Sequence, residues 1–191
     1  MDNFFDIDNF IKDIFNNIND IKMTNNGTHI TDKNLTIAIK KALIDVAEKY
    51  KENYKEKEKL NLISRCNIYD EEYKNNWKNE LLYDIIIYSF KENYILDEVF
   101  LVGESELGKN WDIILEDFEK LLFARAKVRL MVYQVKNSVE YEEYIDELKN
   151  IIEKSSSCIN GDIYLFAVYD ANDANINKWK FIKYVKGETT S

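Results

Sequence analysis

The sequence predicts an α/β protein in which a mixed sheet is flanked by helices. Short runs rich in β-branched residues and apolar on both faces, such as residues 81–88, are typical of buried strands. Segments with apolar residues three and four positions apart, such as residues 111–122, are typical of helices that pack on one face. The two kinds of segment alternate along the second part of the chain, and that order favours a sheet covered by helices.

The first part of the chain is predicted to be helical. Apolar residues at steps of three and four form an a/d seam, which an Asn-Asn-Gly turn at residues 25–27 ends. Thr31 or Asp32 can cap a second helix, and the charged run at residues 51–59 is a solvated helix face or a linker. The seam of the first helix consists of Phe4, Ile7, Ile11, Ile14, Ile18 and Ile21. We expect it to pack on another helix, of this chain or of a second copy.

A domain boundary is placed between residues 69 and 70. Residues 1–69 form the predicted N-terminal helical extension, and residues 70–191 form the predicted α/β core. The core begins with a helix-permissive lead, residues 70–80, and Ser138 can cap its last helix. Its strands are predicted at residues 81–88, 99–106, 125–135, 163–169 and 179–185, and its helices at residues 111–122 and 138–152.

Composition and charge limit the classes of function. The formal net charge of −9 argues against a general nucleic-acid coat protein, although a nucleic-acid enzyme needs only a local basic patch. Cys66 and Cys158 lack a CxxC pattern, and the lone His29 lies in turn-forming sequence, so we expect no Cys/His zinc site. The acidic N-terminus and the absence of a long apolar run predict a cytoplasmic protein without a membrane span.

Four acidic residues fall on the first two predicted core strands and just before them: Glu80, Asp84, Glu104 and Glu106. Asp84 interrupts an apolar strand, and a buried carboxylate needs a partner, a proton or a metal ion. Glu104 and Glu106 share one face of their strand, roughly 7 Å apart. With Asp84 on a neighbouring strand, they can form a three-carboxylate site suited to Mg²⁺.

The motifs around these acids resemble the PD-(D/E)XK nuclease superfamily, the fold of many restriction endonucleases. They are Asn-Glu-Leu-Leu-Tyr-Asp at residues 79–84, Gly-Glu-Ser-Glu at 103–106, Asp-Phe-Glu-Lys-Leu-Leu at 117–122 and Arg-Ala-Lys-Val-Arg-Leu-Met at 125–131. More narrowly, they are similar to uncharacterised bacterial members that have an acid-x-acid strand and a helix of the DFEKLL type. The resemblance covers roughly residues 70–170. It implies a core of helix, three-strand meander, helix and strand, and cleavage of DNA with Mg²⁺ or Mn²⁺.

By this resemblance, Glu80 matches the acid of the leading helix, Asp84 the first strand acid and Glu104 the second. These three are the expected metal ligands. Glu106 stands where the superfamily usually has lysine, and we expect it to orient the metal ion or the attacking water. The positive group then comes from Lys120 on the following helix, with Lys127 in reserve.

Other interpretations of the same residues remain open. Glu104 and Glu106 can be a solvated strand end, and Asp117 with Lys120 an ordinary surface pair. The alternating Arg125, Lys127 and Arg129 can contact phosphates or neutralise nearby acids.

The leading functional hypothesis is a metal-dependent nuclease that binds DNA. The alternatives are a non-catalytic subunit of the same fold and an acidic protein that mimics DNA towards a protein partner. The DNA mimic predicts carboxylates spread over an exposed face, whereas the nuclease predicts carboxylates gathered at one site. A homo-oligomer or a protein partner through the N-terminal helix remains a further expectation.

Overall fold

The computed structural model contains a six-stranded mixed sheet with helices on both faces. It describes residues 5–21, 24–25, 28–29, 31–55, 61–66, 82–91, 95–170 and 179–188. The helices are α1 (Ile7–Asn19), α2 (Asp32–Lys55), α3 (Trp111–Leu122) and α4 (Ser138–Lys154). The strands are β1 (Thr24–Asn25), β2 (Thr28–His29), β3 (Asn61–Cys66), β4 (Ile85–Phe90), β5 (Leu96–Glu106), β6 (Val128–Val135), β7 (Ile163–Asp170) and β8 (Trp179–Val185). The predicted α/β class with a mixed sheet is confirmed.

The strands of the large sheet follow chain order, from β3 at one edge to β8 at the other. β3, β4 and β5 form an antiparallel meander. β6 lies parallel to β5 and β7 parallel to β6, with α3 and α4 in the connections, and β8 returns antiparallel to β7. Because β4 and β5 are antiparallel, the first residues of β4 lie beside the last residues of β5, at one end of the strands.

The N-terminal helices cover one face of the sheet. Of the predicted seam, Ile11, Ile14 and Ile18 are buried, Ile7 and Ile21 are partly buried, and Phe4 lies outside the described residues. The buried seam residues share a core cluster with α2. The same cluster contains Leu101 of β5 and the alternate β6 residues Val128, Leu130 and Val132. The helical partner of the seam is therefore a helix of this chain, the first of the two arrangements expected from the sequence.

The helices α3 and α4 cover the opposite face. Their buried residues, among them Phe118, Leu121 and Leu148, form a second cluster with the strand residues Val102 and Met131. Strand residues of opposite parity point to opposite faces, so one sheet separates two cores. Asn110 and Asn137 cap the two helices through their side-chain oxygens. The predicted cap of α4 at Ser138 is thus wrong by one residue. The side-chain oxygen of Asn137 accepts hydrogen bonds from the backbone N–H groups of Val139 and Glu140, so Asn137 is the cap and Ser138 is the first residue of the helix.

The meander begins earlier than the sequence predicted. β3 lies inside the proposed N-terminal extension, yet it pairs with β4 of the proposed core. The strand predicted at residues 81–88 begins at Ile85, so Asp84 lies in the bend before the strand rather than within it. The lead predicted at residues 70–80, including Glu80, lies outside the described residues.

Two buried cations fix loops at the sheet ends. Arg129 donates to the backbone oxygens of Ala124 and Ala126 and pairs with Asp162 at 3.2 Å. Lys186 follows β8, and its Nζ donates to the backbone oxygens of Ile152, Ser155 and Cys158, where α4 ends. Both cations therefore stabilise chain turns. No helix in the described part of the chain is long and apolar enough to cross a membrane.

Candidate functional site

Asp84 is held at the start of β4 by contacts with its two oxygens. The register pairs Ile85 with Gly103, so Asp84 comes beside Glu104 at the edge of the sheet. Oδ2 of Asp84 accepts a hydrogen bond from the backbone N–H of Ser105 at 2.9 Å. Oδ1 lies 2.8 Å from Nζ of Lys40 on α2. The orientation of this carboxylate is therefore set from two elements.

Glu104 is the most electrostatically perturbed acid of the site. Its side chain is 4% exposed, and its Oε1 is buried without a hydrogen-bond partner. Burial raises the pKa of Glu104 from 4.5 to about 8, the negative charge of Asp84 adds to the increase, and Lys120 partly opposes it. A buried oxygen without a partner requires an explanation, for which an unseen water or ion is an ordinary one.

Lys120 approaches Glu104 from α3. Its Nζ lies 2.6 Å from Oδ1 of Asp117 and 3.7 Å from Oε1 of Glu104. The hydrogen bond to Asp117 is the main reason that the pKa of Lys120 is raised, and the charge of Glu104 contributes. The ordinary surface pair expected as an alternative is thus present, and the same ammonium faces the site. The side chain is 45% exposed, so solvent reaches it.

Lys40 is a residue of the site that the sequence analysis missed. It is 6% exposed, although it belongs to a lysine pair that resembles a solvated helix face. The available signal is its helical spacing, because the next residues on the same stripe, Ile44 and Ala47, are both buried. Its partner, Asp84, is distant in sequence, and only the tertiary fold shows the contact.

The structure leaves two predicted residues, Glu106 and Lys127, outside this group. One carboxylate oxygen of Glu106 accepts a hydrogen bond from the backbone N–H of Gly108, where a Cβ would collide with that oxygen. Lys127 pairs with Glu98 at 3.0 Å, near the beginning of β5. The contacts of Lys127, like the pairing of Arg129 with Asp162, show these cations neutralising nearby acids. Glu80 lies outside the described residues.

A small cavity borders the acid pair. It has a volume of about 10 Å³ and is lined by Lys40, Asp84, Glu104 and Ser105 together with apolar side chains of α2 and the strands. This volume is close to the minimum for one water molecule. Gly103 also lines it, and a Cβ there would lie 2.9 Å from Cγ2 of Ile85. Glycine at this position therefore allows β4 and β5 to pack closely beside the acids.

The arrangement fits a metal ion with few protein ligands. Among the described residues, no group of three or more acidic, histidine or cysteine side chains is arranged to hold a metal ion. Asp84 and Glu104 nevertheless place two carboxylates side by side, one of them with an orphaned buried oxygen. Mg²⁺ is commonly bound by one or two carboxylates and keeps several waters, so this donor set suits it.

Comparison of the chain with protein-family models, with curated proteins and with solved structures finds no significant match.

Proposed function

We propose that this protein is a nuclease with a restriction-endonuclease-like core, which hydrolyses DNA phosphodiester bonds with Mg²⁺ or Mn²⁺. The observation that carries the proposal is the pairing of Asp84 with Glu104 at one edge of the sheet. These two carboxylates would hold the metal ion. Glu80 stays a predicted third ligand, but it follows β3 in the chain and so does not lie on α2, the helix that precedes the meander.

The order of elements supports the proposal. The superfamily core consists of a helix, a three-strand meander, a second helix and a further strand. Here α2, the meander β3–β5, α3 and β6 follow in that order. Asp84 lies directly before β4, the middle strand of the meander, and Glu104 lies on β5, its third strand. The proposal takes these two acids as the strand acids of the superfamily.

In this proposal the less exposed acids bind the metal ion and the exposed lysine contacts the substrate. Asp84 and Glu104 bind the cation, and Glu104 must lose its proton to do so, so cation affinity should rise with pH. The ammonium of Lys120 is solvent-accessible beside Glu104, where it can contact a phosphate oxygen and stabilise developing negative charge. A bound Mg²⁺ would polarise the phosphate and lower the pKa of a coordinated water.

A non-catalytic subunit of the same fold is the second candidate, and two contacts favour it. Lys40 already neutralises Asp84, and Glu106 is turned towards Gly108 instead of towards the acid pair. The DNA-mimic hypothesis has less support, because Glu104 is buried and Asp84 is partly buried rather than spread over an exposed face.

The decisive experiment is cleavage of plasmid and linear DNA in Mg²⁺ and in Mn²⁺. We expect wild type to cut, and Asp84→Asn and Glu104→Gln to lose at least about a hundredfold in rate, as expected on removal of a group that stabilises the transition state. Lys120→Ala should be strongly impaired, whereas Glu119→Gln, an exposed acid on the same helix, should cut like wild type.

Circular dichroism and cooperative unfolding must show that each variant remains folded. A purified wild type that cuts no DNA with either metal would favour the non-catalytic subunit. Cleavage that survives in both acid variants would show that the activity belongs to another site or to a contaminant.

A further inference from the structure

Two lysines reach the acid pair from opposite faces of the sheet. Lys40 extends from α2, which packs in the first core cluster, and Lys120 extends from α3, which packs in the second. Each faces a different acid, because Lys40 contacts Asp84 and Lys120 lies near Glu104. With both acids ionised, the four side chains have no net charge.

The two lysines differ in what they can reach. The side chain of Lys120 is 45% exposed, whereas that of Lys40 is 7% exposed. A phosphate in solvent can meet Lys120, but not Lys40 unless the protein opens. The 2.8 Å contact of Lys40 with Oδ1 of Asp84 instead places its ammonium against an oxygen that the proposed function needs as a metal ligand.

We propose that Lys40 is a built-in counter-ion that competes with the divalent cation for Asp84 and so lowers the metal affinity of the site. The inference rests on the proposed function, since it concerns regulation of the same site. In the metal-free protein the ammonium neutralises Asp84. Metal binding brings two positive charges next to that ammonium, which weakens the ion pair through like-charge repulsion.

The structure provides the means for this exchange. Lysine carries its charge on a flexible four-carbon stem, so its ammonium can withdraw without a shift of the helix backbone. The cavity of about 10 Å³ that borders Lys40 and the acid pair is close to the minimum for one water molecule, so the ammonium has to move away from it towards solvent. Oε1 of Glu104 lies in the same group of side chains, has no hydrogen-bond partner and is 3.7 Å from Nζ of Lys120, so it is an oxygen that the cation can bind.

The test is a Mn²⁺ titration of the full chain after a chelator has removed bound metal. Binding is measured by calorimetry and by the increase in melting temperature. We compare wild type with Lys40→Met, which removes the charge and retains an apolar stem. Lys33→Met is the matched control, because Lys33 is exposed on the same helix. The inference predicts that Lys40→Met binds Mn²⁺ roughly tenfold more tightly than wild type, within the usual range of coupling between two bound species. Lys33→Met should bind like wild type.

The outcomes separate this inference from the proposed function. Mn²⁺ binding by wild type, with equal or weaker binding by Lys40→Met, overturns the counter-ion and leaves the nuclease proposal standing. Binding by Lys40→Met alone supports the counter-ion and counts against a wild-type metalloenzyme. No binding by either protein overturns both.

Two further variants control for misfolding of Lys40→Met and for metal binding at another site. Lys40→Gln retains a hydrogen-bond donor for Asp84 without the charge, and it takes the place of Lys40→Met if that variant does not fold. Adding Glu104→Gln to Lys40→Met should abolish the gain in Mn²⁺ affinity. A gain that persists in this double variant would place the metal elsewhere and overturn the inference.

Discussion

Replacement of Glu104 by glutamine should remove a pH dependence from the stability of the protein. The pKa of Glu104 is raised from 4.5 to about 8, chiefly by burial. Between these two values the folded state holds a proton that the unfolded state has released. By linkage, the free energy of unfolding of wild type therefore falls as the pH rises through this window.

The magnitude follows from the pKa difference. Each pH unit between the unfolded and folded pKa corresponds to about 1.4 kcal/mol, so the whole window accounts for at most about 5 kcal/mol. The contribution of Glu104 to stability is fully present below pH 4.5 and is lost as the pH approaches 8. Glutamine does not titrate, so between pH 5.5 and 7.5 the free energy of unfolding of Glu104→Gln should gain about 2–3 kcal/mol relative to that of wild type.

Urea unfolding of the metal-free proteins, followed by tryptophan fluorescence at several pH values, measures this difference. The comparison between the two proteins matters more than either curve, because other groups also titrate in this range. Glu119→Gln, on the exposed side of α3, is the control for the chemical change and should run parallel to wild type. Parallel curves for wild type and Glu104→Gln would show that the carboxyl is already ionised at neutral pH, and the account of its burial would be wrong.

Further predictions concern the groups that hold the fold together. Arg129→Met should lower the free energy of unfolding by about 2–4 kcal/mol in urea titrations, because it removes the hydrogen bonds to the backbone oxygens of Ala124 and Ala126 and the ion pair with Asp162. The exposed Arg125→Met should change it by less than about 0.5 kcal/mol. Lys186→Met removes three hydrogen bonds from the end of α4 and should cost about 2–4 kcal/mol in the same assay, against less than about 1 kcal/mol for Lys183→Met, whose ion pair is exposed. Ile14→Ala should cost about 2–5 kcal/mol, and its mass in light scattering should equal that of wild type, since the chain itself covers this side chain. A dissociating oligomer would instead show that the seam also contacts a second copy.

Periodicity predicted the parts of the fold in which one signal dominates. The β-branched run of β4 and the helical spacing of α3 have a clear period, and both elements form there. β3 was missed because it is a short edge strand of mixed polarity, directly after a charged run that favours helix or linker. Such a strand is specified by pairing with its neighbour more than by its own pattern.

The sequence alone identified a site residue most directly where a charged side chain interrupts an apolar segment. Asp84 is a carboxylate in an apolar run, so its conflict is visible without a structure. Glu104 lies in Gly-Glu-Ser-Glu and was selected by its spacing to Glu106 and by the resemblance. Lys40 shows no such conflict locally, since a second lysine follows it, and its contact with Asp84 depends on how α2 packs on the sheet. The orientation of Glu106 depends on a nearby backbone N–H, which strand periodicity does not describe.

The position of Lys186 has a consequence for how the chain folds during synthesis. The Lys186 ammonium donates hydrogen bonds to backbone oxygens at the end of α4. One of these oxygens belongs to Ser155, which is 31 positions earlier in the chain. A nascent chain can form α4, but its final turn stays without this partner until Lys186 has been synthesised. β8, the last strand of the sheet in chain order, therefore pairs last when the chain folds during synthesis. A chain that stops before Lys186 would lack the hydrogen bonds from this lysine to the end of α4.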